Sequence, residues 1–219
     1  MKIIDLSFEI ENGMPTCGTP WHQTVKVEQM GTIDTVGRNT HSILLGSHIG
    51  THMDAPYHFI EGGRTIESTP LETLCGPISV IDLTYLKAGD VVQYDDVKDL
   101  KVTERMLFRF DWFKHWRTGD YYKAFPYFSE EAVSFLIANG IKLFAMDTPS
   151  PDDGQNIHST MNAADSPNHK TLLGKDIVII EYLNHTDQID LTKQHTLVAL
   201  PLKIKGSDGS PSRVILFEE

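Results

Sequence analysis

The sequence predicts a mixed α/β (α+β) fold in a single domain spanning residues 1–219, and three observations carry that prediction. Seven short apolar runs rich in β-compatible residues recur along the chain. One segment carries a full set of helix start and stop signals. No internal repeat, low-complexity tract or Pro/Gly/Ser linker divides the chain. Hydrophobic residues make up 40% and charged residues 22%, which supplies a sizeable core without disulfides.

Taken in order, NTHSILLGS (39–47) reads as a strand that runs into a histidine-rich loop. STPLETLCG (68–76) carries helix signals, with Ser68 or Thr69 as N-cap, Pro70 in the first turn and Gly76 as a stop. PISVIDL (77–83) reads as a buried strand and RMLFRFD (105–111) as another. Between them, 84–104 is charged and weakly patterned, a loop with at most one helical turn. The clearest helix is 130–139. Ser129 caps it, Glu130 and Glu131 sit at the positive end of its dipole, Val133, Leu136 and Ile137 form its apolar face, and Gly140 ends it. IKLFAMD (141–147) is the next strand, and a polar loop runs from Thr148 to Asn168. DIVIIEYL (176–183) and HTLVALPLKI (195–204) are strands, and GSDG (206–209) turns the chain into SRVILF (212–217).

Charge and cysteine content exclude several functions. The net charge of −11 and a pI near 5.3 leave no electrostatic footprint for nucleic acid, and anionic membranes would repel the chain. Cys17 and Cys75 are far apart and outside any CxxC pair, so thiolate zinc and a disulfide framework are not expected. The start MKIIDLSFEIENG is interrupted by Asp5 and Glu9 and does not read as a signal peptide. No run approaches the roughly 20 apolar residues needed to span a bilayer. A cytoplasmic location with reduced thiols is the expectation.

Chemistry concentrates in HIGTHMDAPYHF, residues 48–59. His48, His52 and Asp54 offer neutral imidazoles and a carboxylate, which suit Zn²⁺ or Mn²⁺ and leave positions open for water and substrate. Gly50 permits close backbone approach, and Pro56 stiffens the exit so that His58 stands beside the ligands rather than among them. The alternative is a surface histidine cluster that steadies a loop. Farther on, Glu181 inside VIIEYL is expensive to bury without a cationic partner. His169 and His158 are equally placed to join it, and spacing does not choose between them. Asp147, Asp152 and Asp153 in DTPSPDDG lack EF-hand spacing and read as turn-forming. Trp112, Trp116, Tyr121 and Tyr122 read as core or interface, or else as the wall of a pocket for an aromatic substrate.

HIGTHMDAPYHF resembles the HxGTHxDxPxHF hallmark of the metal-dependent cyclase-like hydrolases, a family that includes bacterial kynurenine formamidase and isatin hydrolase, with no mismatch. IIDLSFEIENGMP, FDWFKHW, PYFSEEAVSFLIANGIKLFAMDTPSPD and ALPLKIKGSDGSPSRVIL look like family blocks in family order, so the resemblance covers nearly the whole chain. It implies that His48, His52 and Asp54 bind metal and that His58 is catalytic. His169, Leu172, Leu173 and Glu181 match the later HxxLL…Glu block, which implies that His169 and Glu181 share Asp54 in holding a second ion. The implied fold is the family's swivelling β/β/α domain, assembled as a homodimer or homotetramer. One stretch departs from the pattern: MPTCGTPWH stands where formamidase-like members carry Trp-Pro-Gly, so N-formylkynurenine itself is not implied.

The expected activity is hydrolysis of a small amide, an aryl formamide or cyclic amide, by metal-activated water with His58 as proton shuttle, one or two Zn²⁺ or Mn²⁺ ions serving as cofactor. Two rivals share the motif. One is a lyase or true cyclase acting on a non-amide substrate; the other is an inactive metal- or ligand-binding member.

Overall fold

The computed structural model describes residues 1–157 and 165–219, and its twelve strands run in chain order as follows. They are β1 (Lys2–Asp5), β2 (Lys26–Gly31), β3 (Thr40–Leu44), β4 (His52–Asp54), β5 (Cys75–Asp82), β6 (Val91–Val92), β7 (Arg105–Arg109), β8 (Tyr127–Phe128), β9 (Leu143–Met146), β10 (Val178–Glu181), β11 (His195–Pro201) and β12 (Gly209–Glu218). The helical segments are α1 (Ile33–Val36), α2 (Leu71–Leu74), α3 (Tyr94–Val97), α4 (Glu130–Ala138), α5 (Gly154–Ile157) and α6 (Pro167–Leu173).

Eight strands form one mixed sheet in the order β1-β12-β11-β5-β7-β9-β10-β4, and a further pairing of β12 with β4 closes it into a ring. The run β5-β7-β9-β10 is parallel, and the remaining pairs are antiparallel. Parallel neighbours need crossovers, and α4 and α6 serve that purpose before β9 and β10. Strands β9 and β10 are buried at every residue, which explains why their sequence is apolar throughout apart from Glu181.

Side chains alternate between two cores. Leu107, Leu143, Ala145, Val178 and Ile180 point to the face enclosed by the ring, where they meet Met53, Leu197, Val214 and Leu216. Phe108, Phe144, Met146 and Ile179 point outward and pack under Val133, Leu136, Leu172 and Leu173 of the helices. The same alternation sends His52, Asp54 and Glu181 to the outer face.

The helix at 130 forms as expected, over Glu130–Ala138, with the Ser129 hydroxyl accepting from Ala132 N (3.2 Å) and Gly140 at φ +94° beyond its end. Strand 39–47 forms over Thr40–Leu44 but pairs with β2 in a separate ribbon, every residue of β3 exposed. The 68–76 helix shrinks to Leu71–Leu74, with Pro70 rather than Ser68 or Thr69 before it. Cys75 and Gly76 pair with Val198 and Leu197, and this draws the intended helix stop into β5. Strand β5 itself is only half-buried, because Ile78 alone of its residues is fully covered. The 84–104 stretch holds the single turn α3 and the two-residue β6. The polar loop from Thr148 is interrupted by α5, and its expected last residue, Asn168, already belongs to α6. Strand β12 starts at Gly209, inside the expected turn, because it pairs with β4 there. Neither cysteine is in a disulfide. No helix among the described residues is long and apolar enough to cross a membrane.

Candidate metal centre

The histidine-rich stretch is part strand, not loop throughout. His52–Asp54 is β4, bonded on one edge to β10 and on the other to β12. Period-two alternation puts His52 and Asp54 on one face and buries Met53 on the other. Register places Glu181 opposite His52, so the lone acid of β10 finds its cationic neighbour across the sheet.

The flanking residues aim the rest. Gly50 adopts φ +56°, and a Cβ there would sit 2.6 Å from Met14 Cε. The Thr51 hydroxyl donates to Tyr182 O (2.6 Å) and accepts from Phe8 N (2.9 Å), fastening the turn to the end of β10. Pro56 opens a 3-10 turn through His58 that folds the His58 ring against His48, centroids 3.9 Å apart. His169 projects from α6. Asp152 accepts from the backbone N of Asn168 (2.7 Å) and His169 (3.1 Å) and so holds the start of that helix.

Five side chains converge. Asp54 Oδ1 lies 2.7 Å from His48 Nδ1 and 3.3 Å from His52 Nε2, and Oδ2 lies 3.4 Å from His169 Nε2. Glu181 Oε2 is 3.3 Å from His52 Nε2, and Oε1 is 3.1 Å from His169 Nε2. Each imidazole gives its other nitrogen to a fixed acceptor. His52 Nδ1 donates to Gly50 O (2.8 Å), His169 Nδ1 to Asp152 Oδ2 (2.6 Å) and His48 Nε2 to Asp208 Oδ2 (2.7 Å). This is how protein sites fix the tautomer and direction of metal-binding histidines. His58 Nδ1 is likewise given to Asp208 (3.2 Å), which leaves Nε2 as its available nitrogen.

The inward atoms lack well-formed hydrogen bonds. His52 Nε2, both Asp54 oxygens and Glu181 Oε1 are buried without one. Buried carboxylate oxygens in that condition are costly, and a divalent cation satisfies carboxylates and imidazoles together. His52, Asp54 and Glu181 form one triple whose ligand atoms lie within 4.8 Å of one another, and His48, Asp54 and His58 form a second. The donor set of nitrogen and oxygen fits Zn²⁺ or Mn²⁺ chemistry.

In the protein alone the histidines neutralise the acids. Burial lowers the pKa of His52, but the Asp54 and Glu181 carboxylates 3.3 Å from its Nε2 override it and raise the value to about 10. Burial likewise opposes protonation of His169, yet Asp152, Asp54 and Glu181 raise it well above the ordinary histidine range. Burial pushes Asp54 up, and the charge of His48 with the close His169 and His52 nitrogens holds it well below the carboxylate range. His58 goes the other way: burial and the neighbouring His48 lower it, which favours the neutral base.

A cavity of about 240 Å³ opens over these groups, walled by Phe59, Tyr122, Phe125 and Tyr182, with Cys17, Trp21 and His22 at its side. Of the four aromatics singled out in sequence, Tyr122 alone lines it. Trp112 and Tyr121 are buried in the outer core, where the Trp112 indole donates to Tyr121 O (3.0 Å), and Trp116 stacks on Phe8.

The structure thus brings His48, His52, Asp54, His58, His169 and Glu181 into one place, while His158 lies outside the described residues. Two acids were misread as turn-formers. Asp152 is the buried acceptor for His169. Asp147 is buried too, accepting from Phe110 N (2.9 Å), Asp111 N (2.8 Å) and the Thr186 hydroxyl (2.6 Å). Asp153 does form the expected turn, accepting from Gln155 N. Asp208, read only as part of a hairpin turn, was missed as the shared acceptor of His48 and His58. No local signal separates an Asp-Gly that turns the chain from one that also holds a histidine.

Gly209 is a backbone requirement of the site. A Cβ there would stand 2.8 Å from both His48 Cε1 and Met53 O. Gly209→Ala is therefore expected to displace His48 and to destabilise the fold by about 1–3 kcal/mol, the usual cost of overpacking. Urea unfolding and metal content measured together check this. Wild-type values for both would contradict it.

A model of the putative cyclase family matches residues 4–153. Kynurenine formamidase of Bacillus cereus is 30% identical over 97% of this chain and 96% of that protein. Among solved structures, isatin hydrolase A from Labrenzia aggregata, bound to benzyl benzoate, is 28% identical with a TM-score of 0.85, covering 98% of this chain and 93% of that one. A structure described as a potential metal-dependent hydrolase with cyclase activity is 30% identical with a TM-score of 0.77, covering 100% of this chain and 98% of that one.

Proposed function

The chain belongs to the putative cyclase family, and from that premise we infer that it is a metal-dependent hydrolase cleaving the C–N bond of a small amide, an aryl formamide or cyclic amide. The observation that carries this reading is the set of buried inward-facing atoms on His52, Asp54 and Glu181 that lack a well-formed hydrogen bond and that a cation would satisfy together, at the floor of a cavity sized for a small molecule.

His48, His52, Asp54, His169 and Glu181 would hold one or two ions of zinc or manganese. Asp54 belongs to both ligand-atom triples, so it would contribute to whichever ions are held. A divalent cation held there would supply Lewis-acid polarisation of a carbonyl and lower the pKa of a water from 15.7 to about 7. His58 Nε2 accepts the proton of that water and returns it to the departing nitrogen. Phe59, Phe125 and Tyr182 hold the apolar part of the substrate and exclude bulk water. Cys17 and Trp21 stand on the wall where MPTCGTPWH departs from the formamidase pattern, so the substrate need not be N-formylkynurenine.

The remaining expectations complete the reading: one domain over 1–219, a cytoplasmic location, and a homodimer or homotetramer. Exposure of Met30, Ile43 and Leu44 on the β2–β3 ribbon and of Ile33 and Val36 on the helix α1 that joins its strands supports assembly.

The test is turnover of formanilide, N-formylkynurenine and isatin by protein loaded with Zn²⁺ or Mn²⁺, beside chelated protein. Cleavage of at least one amide, lost on chelation and restored by metal, is expected. Turnover of hydroxy-acid or polyketide-like substrates with no amide cleaved would replace this reading with a lyase or cyclase. Ligand binding without any turnover would replace it with a binding protein.

A further inference from the structure

Asp208 joins the metal ligands to the proton carrier through a single oxygen. Its Oδ2 accepts from His48 Nε2 at 2.7 Å and from His58 Nδ1 at 3.2 Å, between rings stacked at 3.9 Å. The residue is placed by backbone, not only by these contacts. Its carbonyl accepts from Ala55 N (2.9 Å), its neighbour Gly209 pairs with Asp54, and the Ser207 hydroxyl donates to Gly209 O (2.7 Å). The loop before β12 is therefore tied to the strand that carries His52 and Asp54.

A carboxylate only accepts, so both histidine nitrogens facing it carry hydrogen. For His48 this directs Nδ1 towards Asp54. For His58 it fixes the tautomer with the lone pair on Nε2, as a proton acceptor requires. Without that acceptor, the His58 ring is held mainly by packing against His48 and Phe59, and neither contact selects a tautomer.

We propose that Asp208 is a positioning residue for the reaction, acting through His58 by holding it in the Nδ1–H form with Nε2 free for proton transfer. The proposal rests on His58 being the proton carrier, and its test includes a readout that needs no turnover. Two-bond ¹H–¹⁵N spectra of the zinc-loaded protein report the tautomer of His58, assigned by comparison with His58→Ala. The wild type is expected to show protonated Nδ1 and unprotonated Nε2, and Asp208→Ala a mixture or the reverse. Protonated Nε2 in the wild type, or an unchanged tautomer in Asp208→Ala, overturns the proposal even if no amide is ever cleaved.

Kinetics at saturating metal supply the second arm. Asp208→Ala is expected to lose about 10–100-fold in kcat, as outer-shell changes do, with KM within about twofold. Asp208→Asn keeps one accepting oxygen and is expected to recover part of that loss; it also serves should the alanine variant fail to fold. His58→Ala/Asp208→Ala should be no slower than His58→Ala. Full additivity of the two losses would mean that Asp208 works through His48 instead, and would overturn the assignment.

Discussion

Asp54→Asn is expected to strip the protein of its metal while leaving the fold in place. Asp54 belongs to both ligand-atom triples, and both of its oxygens are buried without a well-formed hydrogen bond. Asparagine has nearly the same shape, so β4 keeps its pairing with β10 and β12. The substitution removes the charge that two ions would share and turns one oxygen into a donor facing imidazoles. Loss of an outer-shell partner costs metal affinity about 10–100-fold, and loss of a central ligand should exceed the upper end of that range. Mass spectrometric metal content after dialysis, beside far-ultraviolet circular dichroism, is the measurement. Wild-type stoichiometry retained by a folded variant would remove Asp54 from the centre.

The second large effect falls on rate rather than metal. His58→Ala is expected to lower kcat by about 10² to 10⁴-fold, the usual worth of a positioned acid–base group, with metal content unchanged. The reason is geometric. His58 lies near His48 and Asp54, but its Nδ1 is committed to Asp208, and His48, His52, His169, Asp54 and Glu181 supply enough donors without it. Metal lost together with activity would make His58 a ligand. Activity retained with metal present would remove it from catalysis.

Much of the centre was legible in the chain, and for physical reasons. His48, His52, Asp54 and His58 are local, so one short motif displays them. Glu181 was marked by its environment, since an acid in an apolar strand demands a partner. The identity of that partner depends on the register that sets Glu181 against His52, which no local pattern contains. His169 followed from resemblance, because spacing gave His158 the same standing. Asp152 and Asp208 escaped because their roles arise from distant contacts: Asp152 lies 17 residues before its histidine, and Asp208 lies 160 and 150 residues after its two. The fold divides in the same way. Strands such as β9 and β10 announce themselves by apolar runs, broken only by Glu181, whereas the three residues of β4 become a strand only because two others embrace them.

That embrace separates ion loading from chain folding. In zinc fingers the metal organises its own ligands, so removing it dissolves the structure. Here the cradle's central strand has its amides shielded along both edges, and the closed ring behind it is built from aliphatic packing that involves no ion. A cation held here would then bind a ready-made cup, with little drawn off to order the chain. Exchange of one such cation for another of similar size would then leave the scaffold standing still.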